Sequence, residues 1–223
     1  MRLSIVVPVL NEASAIEAHL GRLAPLRARG VEVIVVDGGS EDATRWLAAP
    51  LADRVLDAPR GRAAQMNAGA GASRGDALLF LHADTLLPDS ADRLVARALG
   101  GSHWGRFDVR IEGRHPLLGV VGAAMNLRSR LTGIATGDQA MFMRRSAFEA
   151  AGGFPQIELM EDIALSTRLK RIGPPACLAE RAVTSGRRWE SRGVLRMVML
   201  MWRLRLAYFL GADPVKLARS YRR

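Results

Sequence analysis

Short continuous apolar runs along the chain alternate with stretches whose apolar residues recur every three or four positions. Leu3 to Val9, Val31 to Val36 and Ala77 to Leu81 read as strands buried on both faces, as in a parallel sheet. Arg54 to Asp57 reads as a shorter one. Between the first two runs, Ile16, Leu20 and Leu23 keep helical spacing, with Asn11 as the expected N-cap and Pro25 ending or kinking the helix. Gly61 to Ser73 is rich in alanine and glycine, so a helix there can lie close to a sheet. A further helix is expected from Asp89 to Leu99. This order of strand and helix predicts a parallel, doubly wound α/β sheet flanked by helices.

The second half is less regular. Trp104 to Glu112 alternates as a strand, Leu117 to Leu131 is an apolar stretch, and Ala140 to Met143 is a further strand. Arg144 to Ala151 reads as a short helix closed by Gly152-Gly153-Phe154-Pro155. Glu161 and Asp162 open a helix carrying Ile163, Leu165, Leu169 and Ile172, which Gly173-Pro174-Pro175 ends. Val194 to Leu210 is apolar but holds Arg196, Arg203 and Arg205, which makes a spanning helix costly. At ~100° per residue, Arg192, Arg196 and Arg203 share one face and Arg205 lies opposite. That suits an interfacial helix on anionic lipid and, equally, a helix packed on the domain with snorkelling arginines.

With 223 residues, 49% of them apolar, the chain is expected to form a single domain with a sizeable core. Residues 191–223 would form a basic amphipathic tail. The one cysteine, Cys177, excludes an intrachain disulfide and suits a reducing compartment. The first apolar run is too short for a signal peptide, so a cytoplasmic protein, peripheral at the inner face of the membrane, is expected. The net charge of +10 calls for an anionic partner, either a phosphorylated substrate or an anionic membrane surface. Aromatics make up only 5% and do not alternate with basic residues, which argues against nucleic acid.

The strand ends carry the candidate chemistry, because ligands of open α/β sheets bind beyond the carboxyl ends of the strands. Val36 runs into Asp37-Gly38-Gly39-Ser40, a tight turn with Ser40 as the expected cap of the next helix. Leu81 runs into His82-Ala83-Asp84, where a carboxylate beside an imidazole could hold a divalent cation and a phosphate. No G-x-G-x-x-G follows the first strand and no P-loop motif occurs, which disfavours ordinary dinucleotide binding and P-loop ATPase chemistry.

Several segments occur in the order found in one family. They are Ser4 to Glu12, Val33 to Thr44, Gln65-Met66-Asn67-Ala68-Gly69, the acidic site ending at Asp84, Gly152-Gly153-Phe154 and Glu161-Asp162. The chain resembles the family 2 glycosyltransferases of GT-A type over roughly residues 3 to 173, in the short form of a small bacterial subgroup. The resemblance implies a GT-A, Rossmann-like, mostly parallel sheet with a C-terminal helical segment, in which residues 1–100 are the nucleotide-binding half and 101–190 the acceptor and catalytic half. It also implies a nucleoside-diphosphate-sugar donor, with UDP the expected nucleotide, and a divalent cation, Mn²⁺ or Mg²⁺.

By the same resemblance, Pro8, Asn11, Glu12, Asp37, Gly39, Arg62, Asn67 and Asp84 line the nucleotide cleft. Asp84 stands where the last acidic residue of the family's Asp-x-Asp motif binds the cation. His82 replaces the first Asp; it is either a second ligand or a hydrogen-bond partner of the ribose or of Asp84. Asp162 stands where the catalytic base does, with Glu161 the second choice. Asp138, Arg188 and Trp189 are weaker candidates for the acceptor or the diphosphate. Ser185-Gly186-Arg187-Arg188-Trp189 departs from the Gln-x-x-Arg-Trp motif of processive members, since Ser185 replaces Gln. The expected function is inverting transfer of a sugar to a lipid-linked or saccharide acceptor. The rival readings are a nucleotidyltransferase acting on a sugar phosphate and a catalytically silent nucleotide-sugar or membrane-surface binding module.

Overall fold

The structure, a computed structural model, describes residues 1–222. Strand β1 (Leu3–Val9) is fully buried and is followed by α1 (Ile16–Gly21) and α2 (Ala24–Ala28). Pro25 sits in the first turn of α2, where its missing N–H costs nothing, so it starts a second helix rather than ending the first. Asn11 does not cap α1, whose N-cap is Ala15; Asn11 instead takes a left-handed conformation at φ 54°. Strand β2 (Glu32–Asp37) leads into α3 (Thr44–Ala48), which Ser40 does not cap. Strand β3 (Arg54–Asp57), α4 (Arg62–Ala72) and β4 (Ala77–Phe80) follow as expected.

After β4 come the two-residue β5 (Thr85–Leu86), α5 (Ala91–Gly101) and the long β6 (Trp104–Glu112). The apolar stretch that follows is helix α6 (Leu117–Thr132). Asn126 clamps it to β6, accepting from Val109 N–H at 2.8 Å and donating to Val109 C=O at 3.0 Å. Next are β7 (Phe142–Arg144), α7 (Arg145–Ala150), α8 (Glu161–Leu169) and β8 (Ala176–Ser185). The chain closes with α9 (Arg187–Arg192), α10 (Val194–Phe209) and α11 (Pro214–Arg222). No described helix is long and apolar enough to cross a membrane.

All the strands join one eight-stranded sheet in the order β3-β2-β1-β4-β7-β6-β8-β5. The β3-β2-β1-β4 portion is parallel, β7 runs against both neighbours, β6 and β8 are parallel to each other, and β5 is antiparallel to β8. The sheet is therefore mixed, with a parallel first half. One core cluster packs α1, α2 and α5 on one face of that half, and another packs α4, α7 and α8 on the other.

Helix α4 lies close to the sheet because of Gly69. A Cβ there would stand 2.3 Å from Val6 Cγ1 and 2.9 Å from Val36 Cγ2, both on fully buried side chains. Gly71, two residues on, would meet nothing within 4 Å. The two glycines should therefore respond oppositely to alanine. Gly69→Ala is expected to destabilise by ~1–3 kcal/mol through overpacking, whereas Gly71→Ala gains up to ~1 kcal/mol of helix propensity. Urea unfolding midpoints that move in the same direction for both variants would refute this account of the packing.

Candidate active site

The β1–β4 ladder ends at Val6 and Phe80, with one more bond from Leu81 N–H to Val6 C=O. Pro8 lies beyond that point, on the side of β1 that faced β4, so its missing N–H breaks no ladder bond. The sheet opens here, and the loops after β1 and β2 line the opening. They are tied together: Asn11 N–H donates to Ser40 Oγ at 2.9 Å and Glu41 N–H donates to Asn11 Oδ1 at 2.9 Å. Glu12 N–H donates to Thr44 Oγ1 at 2.7 Å. Asp37 folds the β2 turn by accepting from Gly39 N–H at 3.1 Å, Ser40 N–H at 2.9 Å and the Ser40 hydroxyl. Its carboxylate thus caps that turn, and Gly39 supplies the φ of 88° that the turn requires. From α4, Gln65 Nε2 donates at 2.8 Å to both Val9 C=O and Val36 C=O, fastening the ends of β1 and β2.

Asp84 is exposed, and its carboxylate lies 3.4 Å from Thr85 Oγ1. Its main-chain carbonyl accepts from Ser185 N–H, which anchors the end of β8 and the start of α9 beside it. Burial pushes the Glu12 carboxyl above its usual range; the charge of Asp84 adds to this, and Arg187 and Arg188 oppose it. Two carboxylates whose charges act on each other, with a pair of arginines in reach, can serve a cation and a diphosphate. No cluster of three His, Cys, Asp or Glu side chains suited to a metal occurs among the described residues. The donor set fits a cation bound by one or two carboxylates and substrate phosphates, not an all-protein cage.

Two expected ligands have other partners. His82 does not turn towards Asp84: its Nδ1 lies 3.2 Å from Asp138 Oδ1, and its ring packs on Gly137, where a Cβ would come within 2.3 Å. Asn67, expected in the nucleotide cleft, has its side chain bonded to Phe154. Its amide accepts from Phe154 N–H at 3.0 Å and donates to Phe154 C=O at 2.8 Å, locking α4 to the Gly152-Gly153-Phe154 turn. That motif is thereby structural, with Phe154 edge-on to Phe80 at 4.8 Å between ring centroids.

A second group of polar residues gathers around Gly137. Its N–H donates to Asp162 Oδ2 at 2.9 Å, while Asp162 Oδ1 accepts from Ile163 N–H at 2.7 Å. Asp162, Asp138, His82 and Arg62 together line one end of a cavity of about 520 Å³. Arg62 therefore stands on this side of the site, with its Nε 3.0 Å from Glu161 Oε1. Glu161 is buried, does not line the cavity, and leaves Oε2 without a hydrogen-bond partner among the described residues. Burial pushes its carboxyl upward; Arg62 pulls it down, and Asp162 adds repulsion. Burial also works against ionisation of Asp138, but the His82 hydrogen bond and the charges of His82, Arg62 and Arg188 prevail and hold its carboxyl below the ordinary range.

Arg188 lines the cavity, and its charge favours the ionised form of both Glu12 and Asp138. Its Nη1 donates to the Tyr221 hydroxyl at 2.8 Å, and its guanidinium lies 5.8 Å from the centre of that ring. Trp189 lines the cavity beside it. The sequence reading missed Arg128, whose Nε and Nη2 are buried on the cavity wall without a partner among the described residues. It also missed Tyr221. No motif marks either residue; only the folded neighbourhood does.

His19 lies in α1, 5% exposed, with Nε2 unpartnered among the described residues. Burial lowers its pKa to about 4, and the charge of Asp84 offsets only part of that. Between this value and the ordinary 6.5 the unfolded chain takes up a proton that the folded chain refuses. Stability is therefore lost as pH falls through that window, by up to ~3 kcal/mol. Chemical unfolding at pH 7 and pH 4 should show His19→Leu losing less stability than the wild type by about this amount; equal losses would remove His19 as the cause.

Comparison with known proteins places these residues in context. The model of the family described as "Glycosyl transferase family 2" matches residues 4–150. The chain is 34% identical over 195 residues to the succinoglycan biosynthesis protein ExoA of Rhizobium meliloti, covering 76% of this chain and 58% of that one. It is 36% identical over 107 residues to a PGL/p-HBAD biosynthesis glycosyltransferase of Mycobacterium bovis, covering 45% and 42%. Among solved structures it is similar to S. aureus TarS 1-349 in complex with UDP-GlcNAc, at TM-score 0.67 and 19% identity over 83% of this chain and 58% of that one. It is also similar to the mannosyltransferase PcManGT of Pyrobaculum calidifontis in complex with GDP-Man and Mn²⁺, at TM-score 0.66 and 23% identity over 92% and 61%. The fold is that of GT-A glycosyltransferases, and the chain belongs to glycosyl transferase family 2.

Proposed function

We propose that the chain transfers a sugar, with inversion, from a nucleoside-diphosphate sugar to a hydroxyl acceptor, with UDP as the nucleotide. The observation that carries this reading is the meeting of two groups at the open end of the parallel strands. Glu12, Asp84 and the arginines after β8 lie on one side, and Asp162 lies on the wall of the adjoining cavity. Two relatives support the donor class: one solved structure holds UDP-GlcNAc and another GDP-Man with Mn²⁺.

On this reading the donor lies across the ends of β1, β2 and β4. The turn built by Asp37 and Gly39 shapes the base pocket, together with Pro8, Asn11 and Glu12. Asp84 would hold the divalent cation, which when bound offsets the charge that develops on the leaving diphosphate. Arg188 is placed to pair with that charge. Asp162 takes the proton of the acceptor hydroxyl. The Gly137 and Ile163 N–H groups fix its carboxylate, leaving each oxygen a free lone pair for the proton. Glu161 is a positioning residue that steadies Arg62 at the cavity end. Release of a nucleoside diphosphate, and not of pyrophosphate, distinguishes this reaction from nucleotidyl transfer.

Two measurements test the reading. Asp162→Asn should lower transfer, or slow donor hydrolysis as a first assay, by ~10²–10⁴-fold with little change in UDP affinity. A variant as fast as the wild type would place the base elsewhere, with Asp138 next in line. UDP affinity should rise with Mn²⁺, and Asp84→Asn should erase most of that gain; equal affinity in chelator and in Mn²⁺ would count against a bridging cation.

A further inference from the structure

The cavity at Asp162 has an apolar body behind its polar end. Its walls come largely from α6 and α10, with Val121, Met125, Val198 and Met201 facing inward. Val120, Leu195 and Trp202 line it too, yet are 63%, 66% and 74% exposed, so they form its mouth. From the mouth an exposed apolar stripe continues along α10 through Met199, Leu206 and Phe209, and along α6 through Leu127 and Leu131. On α10 these residues recur at intervals of three and four, as one face of a helix requires. Contiguous apolar surface of this kind marks an interaction site.

Charge identifies the occupant. Arg196 and Arg203 are exposed beside the stripe on α10, and the chain as a whole carries +10. An apolar face flanked by arginines suits the boundary between acyl chains and anionic headgroups. Inside the cavity, the Arg128 guanidinium has two buried nitrogens with no partner among the described residues, and Arg205 lines the same wall. A buried, unpaired guanidinium calls for an anion, and its planar fork suits a phosphate.

Resting on the transfer reaction proposed above, we infer that the acceptor is a membrane lipid with a phosphate-bearing, hydroxylated headgroup. Its phosphate meets Arg128, its hydroxyl reaches Asp162, and its chain leaves between α6 and α10 into the bilayer. In the reaction the acceptor oxygen bonds to the anomeric carbon of the donor and its proton passes to Asp162. The anomeric carbon–oxygen bond to the diphosphate breaks, and the nucleoside diphosphate departs with the electron pair.

Phosphatidylglycerol carries all three features and is the probe. The full chain is mixed with vesicles of phosphatidylglycerol or of phosphatidylcholine, each with brominated acyl chains, and quenching of tryptophan emission is followed. Phosphatidylglycerol should bind ~10-fold or more tightly, as expected of a basic interfacial face. Trp202→Phe should lose much of the quenching, Leu206→Glu should lose binding to both lipids, and Arg128→Gln should lose the preference for phosphatidylglycerol. Should Arg128→Gln fail to fold, Arg205→Gln takes its place. Equal binding of the two lipids, an unchanged preference in the arginine variants, or displacement by soluble glycerol phosphate alone would overturn the inference. So would a stable dimer in solution that covers the stripe and binds no vesicle. UDP affinity is measured in parallel. A chain that binds UDP but not lipid removes the lipid acceptor and leaves the transferase reading intact, whereas one that binds lipid but not UDP removes the transferase reading itself.

Discussion

The parallel ladder between β1 and β4 stops at Val6 and Phe80 while β1 itself runs on to Val9. Everything in the site depends on that early parting. Had β4 continued alongside Pro8, the proline would have left a carbonyl of β4 without a donor, and the loops after the two strands would have closed over each other. Instead β1 leans only on β2 at its end, where Gln65 holds both strands through their last carbonyls. The chain after β4 is free to turn away, carrying His82 towards Gly137 and Asp84 towards β8. One break in a hydrogen-bond ladder thus separates the Asp84 side of the site from the cavity side. It falls at the point where the strand order reverses, with β2 to one side of β1 and β4 to the other.

The backbone is strained around the same opening. Asn11, Ala140 and Met160 are the non-glycine residues with positive φ among those described, at 54°, 45° and 70°. Asn11 follows β1, Ala140 ends the turn that carries Gly137 and Asp138, and Met160 precedes Glu161 and Asp162. Each such conformation costs of order 1–3 kcal/mol. The surroundings sustain each one: the Ser40 and Glu41 bonds hold Asn11, the Thr136–Gln139 capping box precedes Ala140, and the Asp162 bond to Gly137 follows Met160. Three strained residues, each within two positions of Glu12, Asp138 or Asp162, are what a preorganised site would show.

The strands of the first half were legible in the sequence because each is buried on both faces and so reads as an unbroken apolar run. β8 was not legible. Its middle, Leu178 to Arg181, is half-buried to exposed and includes Glu180 and Arg181, so neither a continuous run nor a clean alternation marks it. That omission mattered, since β8 delivers Arg187, Arg188 and Trp189 to the cleft. Helix caps were misplaced for a related reason. Asn11 and Ser40 are good capping residues by type, but they bond to each other's loops, and that partner lies about thirty residues away. The helical face of α10 was readable in part: Arg205 lines the cavity while Arg196 and Arg203 are exposed, but Arg192, expected on the same face, ends α9 and is cut off from α10 by the break at Gly193. Family order pointed to Asp84 and Asp162, but it could not show that Asn67 is spent on Phe154 or that His82 faces Asp138.

The unpartnered polar atoms sharpen the contrast between the two sides. At the ends of β1 and β2, Asp37, Asn11 and Gln65 are all hydrogen-bonded within the protein. Around the cavity, Arg128 has two nitrogens and Glu161 one oxygen without a partner among the described residues, and the charge of Asp162 acts on both residues. Burial works against the charge of Arg128; Asp162 recovers part of that, and Arg106 adds repulsion. Arg106 has no such deficit, being fully buried but bonded to Ser129, Asp108 and the Asn126 carbonyl. The chain can therefore satisfy a buried guanidinium in this same region, and it does so one layer deeper. Leaving Arg128 unsatisfied costs stability that a nearby carboxylate would restore. Its persistence on the wall beside the proposed base is best understood as room kept for an anion that the protein does not itself supply.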